Sequence, residues 1–196
     1  IDITDPTNLV GPGGGGTPVY EPTNGTAYGI DVVGSYAYVA DGPAGLAIIN
    51  ISDPTDPGTP VYRDTNGNAR EVKINGSHAY IADGNVTGLA IIDISDPANP
   101  GAPSYTATGG WANEIDINGS HAYVGNGTPD GLAIIDISNP ASPGTPVKQN
   151  TNGYGYGVSV VGNYAYIADG NSGLAIIDIS NPASPSIAGL RNITGG

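Results

Sequence analysis

The sequence predicts an all-β fold, a β-propeller-like array of four four-stranded blades of ~43 residues preceded by an N-terminal half blade. Three observations predict it. A phrase of the form Gly-Leu-Ala-Ile-Ile-Asp-Ile-Ser recurs from Gly45, Gly88, Gly131 and Gly173, at spacings of 43, 43 and 42 residues. No stretch carries apolar residues at the 3.6-residue period over the ~10 positions a helix needs, and 32 glycines and 17 prolines punctuate the chain throughout. Each copy also contains several short runs rich in β-branched and aromatic residues, separated by turn residues, which is how strands are written.

Within a unit the elements follow in order. In the last copy four strands are expected at 158–161, 164–168, 174–179 and 187–191. The first strand alternates, as in Glu71-Val72-Lys73-Ile74 and Glu114-Ile115-Asp116-Ile117, so charges fall on one side and branched aliphatics on the other. The second and third strands, Tyr-Ala-Tyr-Ile-Ala and Leu-Ala-Ile-Ile, are apolar on both sides, which suits a sheet sandwiched between two others. The fourth begins at proline (Pro18, Pro60, Pro103, Pro146), which cannot donate to a ladder and so belongs at a sheet edge. This places full units at 23–64, 65–107, 108–149 and 150–191, and a partial unit at 1–22, in a single repeat domain. The partial unit supplies a third strand on Ile1-Asp2-Ile3 and a fourth near 17–21. Strands three and four at the start find no matching one and two at the end. Either flanking sequence supplies the missing strands, or their open edges pair with another chain, head to tail, as a filament if the rotation does not close.

Composition narrows the function classes. Eighteen acidic against five basic residues give a net charge of −13, which repels nucleic acid and anionic lipid. The longest apolar runs, such as the one ending at Ile92, fall far short of the ~20 residues that cross a bilayer, so no membrane insertion is expected. Cysteine is absent, so no disulfide framework reveals the compartment. The chain opens inside a repeat without an initiator methionine, as a mature or excised segment of something longer would. Seven Asn-x-Ser/Thr sequons, at Asn24, Asn50, Asn75, Asn85, Asn118, Asn126 and Asn192, point to glycosylation and an extracellular setting. Asn-Gly at several of them is equally good hairpin chemistry.

Candidate sites are few. Asp41, Asp83 and Asp169 close the second strand of three units, with Asn126 in the fourth, and a ring of such carboxylates suits calcium while a single one suits an Asp-Gly turn. Asp93, Asp136 and Asp178, with Asn50 in the first unit, leave the third strand and suggest an inter-blade hydrogen bond. Glu71 and Glu114 match on first strands and form the only pair resembling the two carboxylates of a glycosidase. His78 and His121 stand where Tyr36 and Tyr164 stand elsewhere, which makes them packing residues. The loops entering the first strands carry Tyr28, Asn68, Arg70, Trp111, Asn113, Tyr154 and Tyr156 on one face. Aromatics beside amides bind sugar rings, and they equally cap a channel or bury at a subunit contact.

The phrases Gly-Asn-Tyr-Ala-Tyr-Ile-Ala-Asp-Gly (162–170) and Gly-Leu-Ala-Ile-Ile-Asp-Ile-Ser-Asn-Pro-Ala-Ser-Pro (173–185) resemble the LVIVD repeat family of bacterial and archaeal surface or secreted proteins. The resemblance covers nearly the whole chain apart from the glycine-rich 11–16. It implies a propeller-type repeat and brings no catalytic motif. Together these readings describe an extracellular or cell-surface structural or interaction protein, glycosylated and self-assembling, with copies of itself and glycans as partners. It is expected to need no cofactor and to be no enzyme. The alternatives are a carbohydrate-binding propeller and, last, a glycoside-active enzyme.

Overall fold

The computed structural model describes residues 19–84, 87–127 and 130–191. They form four antiparallel sheets, each a simple meander. The first holds β1 (Gly29–Val33), β2 (Tyr36–Ala40), β3 (Leu46–Asn50) and β4 (Val61–Arg63). The second holds β5 (Glu71–Asn75), β6 (His78–Ala82), β7 (Leu89–Asp93) and β8 (Ser104–Thr106). The third holds β9 (Ala112–Asn118), β10 (His121–Asn126), β11 (Gly131–Asp136) and β12 (Val147–Gln149). The fourth holds β13 (Gly157–Val161), β14 (Tyr164–Ala168), β15 (Leu174–Asp178) and β16 (Ser186–Arg191). The all-β blade array read from the sequence is the fold observed. Most of the expected half blade lies outside the described residues, and residues 19–21, its described end, form no strand.

Each inner hairpin turns on a glycine. Gly34, Gly76, Gly119 and Gly162 take φ near +60° (60°, 60°, 58° and 59°) and are followed by Ser or Asn, the order a type II′ turn needs. The asparagines of the Asn-Gly pairs, Asn75 and Asn118, are the last residues of their strands and not the turn itself.

Register gives every blade two unlike faces. In the second blade Tyr80 pairs with Ile91 and Ala82 with Leu89, so these share a tyrosine-bearing face. Ala79 pairs with Ile92 and Ile81 with Ala90 on the opposite, purely aliphatic face, which Val72 and Ile74 extend across β5. The blades stack tyrosine face on aliphatic face. Tyr38, Leu46 and Ile48 of the first blade share one core with Val72, Ile81 and Ile92 of the second. Tyr80, Leu89 and Ile91 do the same with Ile115, Val124 and Ile135 of the third. Tyr123, Leu132 and Ile134 repeat it with Val158, Ile167 and Ile177 of the fourth. Second and third strands are therefore apolar on both sides because both sides are covered.

Polar clamps tie the outer strands to the neighbouring blade. Arg63 Nη2 donates to Pro100 O, and Ser104 Oγ donates to Pro140 O at 2.6 Å. The first strands β1, β5, β9 and β13 pack on one another in succession, whereas β13 and β1 do not meet in this way. The stack thus has two ends. On the first blade Ile30 and Val32 are 58% and 52% exposed, where their counterparts Val72 and Ile74 are buried and half-buried, while Ala37, Val39, Ala47 and Ile49 on the same face of the first blade are buried. On the fourth blade Tyr164 is 41% exposed, and Tyr166, Leu174 and Ile176 are half-buried.

A matched pair of truncations measures this difference. Ile91→Ala, in the middle of the stack, should cost about 2–5 kcal/mol in urea unfolding. Ile176→Ala, at the same register position on the end blade, should cost only about 1 kcal/mol, because its lining is already open to water.

Candidate functional site

The first strands of the blades carry five charged residues, Asp31, Glu71, Lys73, Glu114 and Asp116. Asp31 holds two backbone groups at once, its Oδ1 accepting from Val32 N–H at 2.9 Å and its Oδ2 from Ile74 N–H of the next blade at 2.8 Å. Asp116 repeats this with Ile117 at 2.8 Å and with Val160 of the fourth blade at 2.7 Å. These two carboxylates are the inter-blade bridges, and the sequence signal for them is an aspartate three residues before the hairpin glycine, Gly34 or Gly119. Lys73 and Ser159 fill that position in the other blades.

Glu71 and Glu114 flank this row. Glu71 leans on Gly29, where an added Cβ would sit 2.6 Å from its Oε2, and Glu114 accepts from the backbone N–H of Val158. Burial raises both carboxyls above the usual carboxylate range, and Lys73, 3.9 Å from Glu71 Oε1, pulls both back down. A lysine shared between two half-buried carboxylates is a charge-balancing arrangement. Glu114 also lines a cleft of about 450 Å³ that runs over Gly157, Ser159, Tyr166 and Leu174, on the open face of the fourth blade.

The strand-end carboxylates are staples across the chain. Asp41 accepts from Thr23 Oγ1 at 2.7 Å and from Gly25 N–H at 2.8 Å. Asp83 accepts from Thr65 Oγ1 at 2.7 Å and also from Thr87 Oγ1, and Asp169 accepts from Thr151 Oγ1. Asn126 links the same two segments in the opposite sense, its amide donating to the Thr108 backbone carbonyl at 3.2 Å. All four are fully buried, and each fastens the loop entering its blade to the end of the second strand. The partner is a threonine 18 residues upstream, and not only the local Asp-Gly backbone. Among the described residues no three His, Asp or Glu side chains gather as a metal cluster, so Asp41, Asp83 and Asp169 are not brought together.

The third-strand carboxylates serve turns. Asp93, Asp136 and Asp178 accept from the N–H of Ser95, Ser138 and Ser180 at 2.8, 2.8 and 2.9 Å, and Asn50 does so from Ser52 at 2.9 Å. These Asx turns replace the inter-blade bond expected of them, because the side chain finds a backbone donor two residues on before it can reach another blade. The same bonds hold the three aspartates below the usual carboxylate range. His78 and His121 sit 6.4 and 6.5 Å from Tyr80 and Tyr123 with tilts of 46° and 43°. Tyr36 lies against Tyr38 at 6.4 Å and 43°, so histidine and tyrosine fill one packing position.

The loop face is assembled in adjacent pairs. The Arg70 guanidinium lies 5.2 Å from the centre of the Tyr28 ring, joining the second blade to the first. Asn113 Nδ2 donates to Trp111 O at 3.1 Å and across to Gly155 O at 2.9 Å, joining the third blade to the fourth. Tyr154 rests on Gly127 and stands 4.6 Å from Tyr156, whose ring is 58% exposed. Asn68 is half-buried beside Gly84. The sequons Asn24, Asn50, Asn75 and Asn118 are exposed, while Asn126 is fully buried and offers a glycan no room in the folded chain. Asn85 and Asn192 lie outside the described residues.

Asp83 makes a pH signature. Burial, opposed by the Thr65 and Thr87 hydroxyls, raises its carboxyl to about 6. Its unfolded value is near ~3.9, so the folded chain binds the extra proton between the two. The favourable contribution is full below pH ~4 and is lost as pH rises through ~6. Asp83→Asn, which copies the natural Asn126, should therefore gain on the parent by about 2 kcal/mol between pH 4 and pH 7 in chemical denaturation.

Several solved structures are similar to this chain. A functionally unknown protein from Desulfotomaculum acetoxidans matches with a TM-score of 0.69 at 14% identity, over 85% of this chain and 56% of its own. The computationally designed Ika4 protein matches with a TM-score of 0.60 at 6% identity, over 81% of this chain and 94% of its own. Apo AztD from Citrobacter koseri matches with a TM-score of 0.56 at 15% identity, over 86% of this chain and 48% of its own. The chain thus spans about half the length of the two natural proteins, and the likeness is one of fold. No curated protein matches. No helix among the described residues is long and apolar enough to cross a membrane. The LVIVD repeat model matches at 24–61, 66–106, 109–151 and 152–192, which takes in every blade, and the chain belongs to the LVIVD repeat family.

Proposed function

We propose that this chain is a non-enzymatic structural and interaction protein of the cell exterior, glycosylated at exposed sequons, that joins copies of itself through its end blades. The observation that carries this reading is the exposure of apolar side chains on the end blades, Ile30 and Val32 at one and Tyr164 with the half-buried Tyr166 at the other. Open apolar sheet faces mark interaction surfaces. The sequence reading assigned self-association to unpaired strand edges, and these exposed side chains lie on sheet faces instead. The buried and half-buried carboxylates are occupied in staples, turns and bridges, which favours structure over chemistry for them.

Light scattering over rising concentration should reveal dimers or longer species. Mass spectrometry of the native material should find glycan on Asn24, Asn50, Asn75 or Asn118. A monomer at every concentration, together with bare asparagines, would falsify the reading. One observation favours carbohydrate binding as a second reading, the Tyr154–Tyr156 pair with its exposed outer ring. A glycan array that gives a signal lost in Tyr156→Ala would support it, and a silent array would remove it.

A further inference from the structure

We infer that two equivalent pockets between neighbouring blades, one at His78 and Asp93 and the other at His121 and Asp136, each take one pyranose ring of a carbohydrate. These sites are separate from the self-association and from the Tyr154–Tyr156 pair, and they involve neither outer face of the stack.

Register builds the site. On the tyrosine-bearing face of the second blade Asn75, His78 and Asp93 lie side by side on three adjacent strands, Asn75 pairing with His78 and His78 with Asp93. Asn118, His121 and Asp136 repeat this row in the third blade. The first blade has Val33, Tyr36 and Asn50 there, and the fourth has Val161, Tyr164 and Asp178. Histidine beside a strand-end carboxylate thus belongs to the two inner blades, and each such pair stands at the rim of a pocket. The first, of about 150 Å³, is lined by the buried Ile91 and bounded by Pro140 and Ala141 from the exit loop of the third blade, which Ser104 Oγ holds through Pro140 O. The second, of about 160 Å³, has Ile134, Pro182 and Ala183 in the same places, the last two from the fourth blade.

The size and the polar groups choose the ligand. A space of about 150 Å³ holds a single six-membered ring. Nδ1 of His78 and of His121 lies 3.2 and 3.3 Å from the Oγ of Ser77 and Ser120, which leaves Nε2 for a ligand. One oxygen of each aspartate, Oδ1, is committed to its turn by the N–H of Ser95 or Ser138, which also keeps the carboxyl ionised, and Oδ2 is left. An imidazole and a carboxylate on adjacent strands, with Cβ atoms ~5 Å apart, match two neighbouring hydroxyls, while the isoleucine, proline and alanine walls cover the C–H face of the ring. A hydrocarbon ring offers the carboxylate no donor, and the net charge of −13 repels an anion. The exposed sequons agree with a sugar. Asn75 and Asn118 are the immediate cross-strand neighbours of the two histidines, and the two blades whose inner hairpin lacks a sequon are the two that lack the histidine. The ring therefore has two sources, the chain's own glycan on the adjoining strand and a sugar in solution.

The test titrates the full chain, made without glycosylation, with the methyl glycosides of glucose, mannose, galactose and N-acetylglucosamine, and reads amide shifts by NMR. At least one glycoside should shift residues around both His78 and His121. His78→Phe, which keeps a ring against Tyr80 but has no nitrogen, should silence the first pocket and leave the second. Ala141→Leu, which fills the first pocket, should do the same. Asp136→Asn, which copies Asn50 and keeps the turn, should weaken the second pocket ~10-fold, with the unfolding midpoint of each variant nearly unchanged. Silence with every glycoside at millimolar concentration would overturn the inference. So would shifts that spermidine reproduces, or shifts centred on Tyr156 and lost in Tyr156→Ala. The glycosylated chain then separates the sources. Pockets that accept the methyl glycoside only after enzymatic removal of the glycan hold the chain's own sugar, and pockets that accept it beforehand serve a sugar in solution. Bare asparagines in the native material would end the glycosylation reading and leave the pockets as sites for a sugar in solution.

Discussion

The packing of a tyrosine-bearing sheet face on an aliphatic one is the contact on which the rest of this protein depends. A four-stranded sheet of short strands cannot hold itself together in water with both faces bare. Here Tyr80, Leu89 and Ile91 lie against Ile115, Val124 and Ile135, and the equivalent residues repeat the contact at the junctions on either side. The two faces are complementary but not alike, so every blade has a polarity, and the polarity passes along the stack. Stability is then close to a sum of blades and junctions. The interior blades gain from two covered faces, whereas the end blades expose part of one.

Charge is placed so that it does not disturb this contact. Among eighteen acidic residues, Asp93, Asp136 and Asp178 turn back onto their own loops at the blade ends. Asp31 and Asp116 tie first strands together, and Asp83 with Asp169 staple incoming loops through threonine. A buried carboxylate needs hydrogen-bond donors to stay in place, and these donors are backbone amides and hydroxyls more often than cations. That economy explains how a chain with five basic residues carries so many acids. It also explains why Asn126 can stand where the other blades carry aspartate, since the position needs a polar clasp more than a charge. These carboxylates are thereby committed to architecture, while exposed apolar side chains such as Ile30, Tyr28, Tyr156 and Tyr164 remain accessible.

Much of this was legible in the residues. The spacing of the Gly-Leu-Ala phrase, the double-sided apolar strands and the proline before each fourth strand led to four meander blades, and histidine standing in for tyrosine was read as packing. The carboxylates were harder. Asp93 and Asp31 both alternate with branched aliphatics along a strand, so the pattern does not separate them. Asp93 ends its strand two residues before a free N–H and closes a turn, whereas Asp31 sits in mid-strand beside the next blade. Similarly, Asn75 and Asn126 begin near-identical sequons, Asn-Gly-Ser and Asn-Gly-Thr, and only their place in the blade makes one exposed and the other buried.

The sequence by itself determined the repeat, the strand order within a blade and the two-faced character of each sheet, because these follow from local periodicity and turn chemistry. Which face met which, and which carboxylate bridged two blades, was decided only by the tertiary structure. Those contacts join residues about 43 positions apart, as Asp31 and Ile74 are, and a spacing shared by every residue of a repeat cannot say which of them touch. The same holds for the open faces. Ile30 and Val72 are written alike in the chain, and only the stack leaves one in water and covers the other.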